Sequence, residues 1–204
     1  MTRIAGLTGA TLPTAPTVCH ECIFWQSRTG RSVDKRRWIR GTEEEWGAWG
    51  TVYYDDDGRL LGSMQYGPSD LFPRAAELPA GPPGHDALLV TCAYLVDPSK
   101  PWVMQSLFLT AIGDARDKGA RAVEAFAYRY GEEASKLGRF HVHKTIFPRD
   151  FLADFGFVTA RAQGRVELVR LELGGLVPVV EGTRERVLRV VREAFVPAPA
   201  PQQP

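Results

Sequence analysis

The strongest constraint on this chain lies near its middle. The run ALLVTCAYLV, Ala87 to Val96, barely alternates between apolar and polar residues. Such a run predicts a strand buried on both faces. The spacing of apolar residues in QSLFLTAIGDARDKGA then predicts a helix from about Met104 to Lys118, stopped by Gly119. RAVEAFAYR predicts a second strand. A strand, a helix and a strand in that order predict a parallel pair, and a strand covered on both faces needs a layer on each side of its sheet. The turn that opens the helix carries Pro98, Pro101 and Trp102 and no glycine. A helix start at the end of a strand is a ready anion site, but close approach of a ligand to the backbone usually requires glycine there.

The flanks read as antiparallel. GTVYYDDDGRLLGSMQYGP predicts a hairpin with strands Thr51 to Tyr54 and Leu60 to Tyr66 and Asp57-Gly58 in the turn. FVTAR and RVELVRLELG predict two more strands, after a short helix opened by Pro148 and ended near Gly156. An edge strand is expected around Ile4 to Leu7. RSVDKRRWIRGTEEEWGAWG is helix-compatible, with Trp38 and Trp46 eight apart and so on one face. A final amphipathic helix is expected from Thr183, its N-cap. The organisation expected is an extended arm over 1–18, one domain over 19–195 and a disordered tail over 196–204.

Net charge decides which partners to exclude. With 25 basic and 24 acidic residues it is +1, which gives no global attraction to nucleic acid or acidic membrane. No apolar run approaches the ~20 residues that span a bilayer, and MTRIAGLTGA lacks the apolar core of a secretory signal. Three cysteines are too few for a disulfide framework, so a reducing, cytoplasmic setting is expected.

Three segments carry a resemblance. GRLLGSMQYGP, LLVTCAYLVDP with its helix ending DARDKGA, and DFLADFGF occur in that order between Thr51 and Leu173. They resemble the third strand, the fourth strand with central helix, and the helix end before the last strands of the GNAT superfamily of N-acetyltransferases. The front segment Cys-x-x-Cys-x-Phe-Trp is similar to one subgroup. The resemblance implies a mixed α/β fold, a twisted GNAT-like sheet with helices on both faces, whose fourth and fifth strands splay into a cleft. It implies acetyl-coenzyme A as co-substrate and a small-molecule or peptide amine as acceptor, with neither nucleic acid nor membrane as partner. A homodimer is left open. Backbone N–H groups of Tyr94, Leu95 and Val96 are expected to polarise the thioester carbonyl and hold the pantetheine arm.

Two departures from the family pattern matter. In the family the turn carries R/Q-x-x-G-x-G/A, whose N–H groups bind the pyrophosphate. SKPWVMQSL aligns there without either glycine and about two residues short, so side chains of Val103, Met104 and Gln105 stand where backbone must approach, and Pro101 has no N–H. Lys100 is the available charge, and with Gln105 completes the expected cofactor contacts. Leu152 aligns with the tyrosine that in many members protonates the leaving thiolate. Two function classes therefore stand: an N-acetyltransferase with altered cofactor binding, or an inactive GNAT-fold binding or regulatory module.

Among side chains, Glu124 is the candidate general base, since a carboxylate in a partly dry cleft can take a proton from an amine. The alternative is a strand carboxylate paired with Arg121 or another cation. Tyr66, Tyr94, Tyr128 and Tyr130 are candidate phenols to replace the missing tyrosine, with Tyr128 the choice beside Glu124. His141 and His143 lack a third metal ligand at convincing spacing. Cys19 and Cys22 have metal-type spacing, but Cys92, His20 and His85, which could complete a site, fall on separate predicted elements. No metal is expected, and the thiols are read as buried beside Phe24 and Trp25.

Overall fold

A computed structural model describes residues 3–28, 32–131 and 145–174. His141, His143, the expected final helix and the tail lie outside the described residues. Eight strands form one sheet: β1 (Arg3–Gly6), β2 (Gly50–Tyr54), β3 (Leu60–Pro68), β4 (Ala87–Leu95), β5 (Ala122–Tyr128), β6 (Phe147–Pro148), β7 (Val158–Gln163) and β8 (Val166–Glu172). The order across the sheet is β1-β2-β3-β4-β5-β8-β7, with β6 attached to β5. Among the described residues only β4–β5 and β5–β6 run parallel, and every other pair is antiparallel. This is the mixed sheet expected from the sequence. The residues expected as an arm supply β1 and bury Leu7, Leu12 and Ala15.

Helices cover both faces. The long helix α3 (Pro101–Asp117) and the short α4 (Arg149–Ala153) lie on one face, the back. Their Val103, Met104, Leu107, Phe108 and Leu152 pack with Met64, Val90 and Ala125 of the sheet. The front face carries α1 (Thr17–His20) and α2 (Lys35–Glu45), with Trp25, Trp49 and Phe72 beneath them. Asp34 caps α2, its carboxylate accepting from the Arg37 N–H at 3.0 Å.

Two expectations shift. α3 begins at Pro101 rather than Met104, because proline at the first helical position has the right φ and lacks only an N–H that would be unpaired there. Trp38 and Trp46 do not share a face. The helix stops at Glu45, Trp38 stacks edge-on against Trp49 at the front, and Trp46 packs with the back cluster under the Lys118 ammonium.

The sheet parts between β4 and β5. The two strands pair only from Ala87↔Ala122 to Val90↔Ala125. β3 stays paired with β4 to Gly62↔Leu95, but its register slips between Gln65↔Cys92 and Tyr66↔Val90. Thr91 is therefore an extra residue, a bulge, and a bulge bends the strand that carries it. The Thr91 hydroxyl is fully buried and lies 3.1 Å from the Gln65 carbonyl and 3.0 Å from its Oε1. Beyond the bulge β4 leaves β5. The edge of β5 that β4 vacates is taken at Ala127 and Tyr128 by β6, since β8 occupies the other edge. A notch results, with Cys92–Leu95 on one bank and β5 with β6 on the other.

Candidate functional site

The notch opens on the front face into a cavity of about 200 Å³. Cys92, Ala93 and Tyr94 line it from one bank, and Thr145, just ahead of β6, from the other. Ser63 and Gln65 of β3 add to its floor, while Leu7, Leu12, Ala15 and Trp49 form an apolar wall. The front segment closes it with Cys19, Cys22, Trp25 and Lys35. Lys35 is only 5% exposed. Its ammonium donates to the Cys22 carbonyl at 2.8 Å and lies 4.9 Å and 5.2 Å from the ring centres of Trp38 and Trp49. Burial pushes its pKa below the usual lysine value.

The sequence brings Lys35 inside by helix periodicity. Lys35, Ile39 and Thr42 are the buried residues of α2, and their spacing of four and three puts them on one stripe. In the string DKRRWIR this lysine is masked by neighbours that do face solvent. Ser63, Gln65, Trp49 and Thr145 were equally unmarked in the sequence, since each becomes part of a site only through strand pairing.

The three thiols meet at this cavity, although the sequence puts Cys92 far from the other two. They are not uniformly buried: Cys19 and Cys92 are half-buried and Cys22 is exposed. The one-turn α1 cannot cover them, which corrects the expectation of packed thiols. Burial pushes the Cys92 thiol up to about 12, so it stays protonated at neutral pH. Among the described residues no group of three or more His, Cys, Asp or Glu is arranged to hold a metal. His20 turns to the Ala15 carbonyl at 2.9 Å, and His85 lies 3.3 Å from the exposed Asp70.

Glu124 lies where β4 and β5 are still paired, on the closed side of the parting. The residue is 3% exposed, and its carboxylate accepts from the Gly84 N–H at 2.7 Å and meets Arg170 at 3.0 Å. Arg170 also binds Asp86 and Glu172, which raises its own pKa. Tyr128 stands at the open end of β5, its ring 4.8 Å from that of Tyr130. Tyr66 points to the back, donating to Asp114. Tyr94 is the tyrosine among the four that lines the cavity.

The Val96 N–H donates to the Leu61 carbonyl at 3.0 Å. Successive N–H groups of a strand point to opposite edges, so the Leu95 N–H points away from β3, into the notch. At the start of α3, Pro101 has no N–H and the Val103 N–H is used by the Lys100 carbonyl at 3.0 Å. Val103 and Met104 are buried in the back cluster, and Lys100 pairs with Asp97 at 3.6 Å. Gln105 is half-buried, its Oε1 enclosed without a hydrogen-bond partner among the described residues.

No family model and no curated protein matches this chain. Solved structures do superpose on it. Ard1 from Thermoplasma volcanium shares 10% identity, with 84% of this chain and 97% of that one covered, at a TM-score of 0.48. An acetyltransferase of the GNAT family from Staphylococcus aureus Mu50 shares 6%, with 85% and 99% covered, at 0.48. A ribosomal-protein-alanine N-acetyltransferase from Brucella melitensis shares 14%, with 84% and 99% covered, at 0.47. The chain's own mixed sheet, its parallel β4–β5 pair and the parting after Val90 are what the sequence resemblance implied.

Proposed function

We propose that this protein is an N-acetyltransferase that moves an acetyl group from acetyl-coenzyme A to a small amine bound in the front cavity. One observation carries the reading. β4 parts from β5 after Val90, and the cavity is lined from both banks of the notch that results. A donor lying along the edge and an acceptor in the cavity would meet at the parting, which is what direct transfer requires.

The residues fit the two ends of the donor unequally. The edge of β4 offers N–H and carbonyl groups to an extended amide chain, as an added strand would use them. The start of α3 fits a pyrophosphate poorly: Pro101 gives no donor, Val103 has spent its own, and bulky side chains replace glycine. The donor is therefore held chiefly along β4, with Lys100 and Gln105 as secondary contacts. When bound, acetyl-coenzyme A supplies the activated acetyl group. The Leu95 N–H is the donor aimed into the notch to stabilise oxyanion charge. Tyr94 is placed to deliver a proton to the departing thiolate. Glu124, tied to Arg170 and Gly84, serves the sheet rather than the amine. A water in the cavity takes the amine proton.

The test is release of free coenzyme A thiol from acetyl-coenzyme A in the presence of a panel of small amines, with the acetylated amine identified by mass. The expected result is amine-dependent release that Ser63→Trp, which fills the cavity, abolishes. Thiol release that no amine stimulates would sink the reading. The non-catalytic alternative is favoured by the poor pyrophosphate site. It predicts cavity ligands that bind while no amine is acetylated.

A further inference from the structure

The cavity is rich in buried donors and poor in anions. The Lys35 ammonium has three N–H bonds, and one is used, by the Cys22 carbonyl. No carboxylate lies within ion-pair distance of it among the described residues, and no Asp or Glu lines the cavity. Trp25 and Trp49, 1% and 2% exposed, line the same cavity, and both indole N–H groups are buried without an acceptor among the described residues. Glu21 acts on Lys35 only from beyond ion-pair distance, and a buried cation without a close counter-charge is costly, as is each buried donor lacking an acceptor. Three such groups around one space call for an anionic acceptor.

We propose that the front cavity binds a small organic acid, with its carboxylate on Lys35 and the Trp25 and Trp49 indoles and its apolar body against Leu7, Leu12 and Ala15. Size supports a single ring or a branched aliphatic group. An apolar cavity of ~150 Å³ takes a benzene molecule, and this one measures about 200 Å³. The two indole rings supply apolar faces for such a body. Resting on the acetyltransferase reading, the acceptor is an amine that also carries a carboxylate, of the apolar amino-acid class. A second positive charge on the acceptor is excluded, because Lys35 would repel it in a site of low dielectric. The exposed Cys22 and half-buried Cys19 line the same cavity.

The experiment uses the full chain without acetyl-coenzyme A. Phenylacetate, phenylacetamide and phenethylamine share one ring and differ in charge. Binding is read by calorimetry and by the fluorescence of Trp25 and Trp49. Phenylacetate is expected to bind about tenfold or more tighter than the amide, since a hydrogen bond to a charged group contributes roughly that factor, and phenethylamine weakest. Lys35→Met, which keeps the length and removes the charge, abolishes the preference for acid over amide while the amide still binds. Lys35→Arg retains part of it. Equal binding of acid and amide, tighter binding of the amine, or no binding of any of the three at millimolar concentration to the unmodified chain overturns the proposal. So does a preference that survives in Lys35→Met. Transfer is then tested separately with phenylalanine and phenethylamine as acceptors. Acid binding without acetylation of either defeats the acetyltransferase reading alone. Acetylation of both with no preference for the carboxylate defeats this inference alone.

Discussion

Glu124→Gln separates two roles that a buried strand carboxylate can have. The substitution keeps the shape and removes the charge. In the native chain one carboxylate oxygen accepts the Gly84 N–H at 2.7 Å and the other meets Arg170 at 3.0 Å. Glutamine still offers one carbonyl oxygen, so one contact survives and the other becomes a donor facing a donor. A hydrogen bond to a charged group contributes roughly 1.5–3 kcal/mol. Removing one member of a buried pair can cost ~3–5 kcal/mol, but Arg170 keeps Asp86 at 2.8 Å and Glu172 at 2.6 Å. The lower range therefore applies, about 1.5–3 kcal/mol.

For a chain of this size 1 kcal/mol shifts Tm by ~2–4 °C, so Glu124→Gln is expected to lower Tm by roughly 3–12 °C. Urea unfolding should show a lower midpoint with an unchanged slope. Acetyl transfer, measured well below the melting range, should stay within about threefold of the unmodified chain, whereas loss of a general base costs ~10²–10⁴ in rate. An unchanged Tm together with a hundredfold loss of turnover would refute the argument and make Glu124 the base.

Other outcomes follow from the same geometry. Glu167 is 1% exposed and accepts from Thr159 at 2.6 Å, Arg149 at 3.1 Å and Arg129; burial alone would raise its pKa, but these partners hold it below the ordinary 4.5. Its contribution is complete above that ordinary value and is lost as pH falls through the lower folded one, so Glu167→Gln should flatten the acid limb of a stability–pH curve below about pH 5 and, since Arg129 and Arg149 remain partly solvated, cost ~1.5–3 kcal/mol at neutral pH. Gly62→Ala puts a Cβ 2.8 Å from the Tyr94 carbonyl and 3.0 Å from Val103, so it should lower Tm and weaken any ligand bound along β4, both read in one thermal-shift titration. Thr91→Val removes the hydroxyl that ties the bulge to Gln65, a loss of about 1 kcal/mol, with the fall in Tm as its measure. Acetyl-coenzyme A and S-acetylpantetheine should bind within about tenfold of each other, since losing several charge-assisted contacts at the phosphates costs at least that factor where they exist; a hundredfold advantage for the coenzyme would show a phosphate grip at α3.

What could be read in advance follows from the range of the interactions. The hairpin, β4, α3 and β5 announce themselves locally, through turn residues and apolar periodicity, and their parallel and antiparallel pairings follow from the connections between them. The bulge at Thr91 does not, because TCA in a strand reads like any buried stretch; the extra residue is defined only against Gln65 and Tyr66 on another strand. Glu124 looked like a catalytic carboxylate because its partner, Arg170, is forty-six residues away and reaches it only once β8 pairs with β5.

Lys35 is the most instructive case. Its immediate neighbours are basic, so local composition argues for a solvated face, while its spacing to Ile39 and Thr42 argues for the core. Periodicity is the better guide, because a helix laid on a sheet buries a stripe whatever that stripe contains. A lysine on such a stripe must find a partner, lose its proton or hold a ligand. One backbone carbonyl and two aromatic faces stabilise it only in part. The remaining deficit, together with two indoles that have no acceptor among the described residues, is what the proposed organic-acid ligand would satisfy.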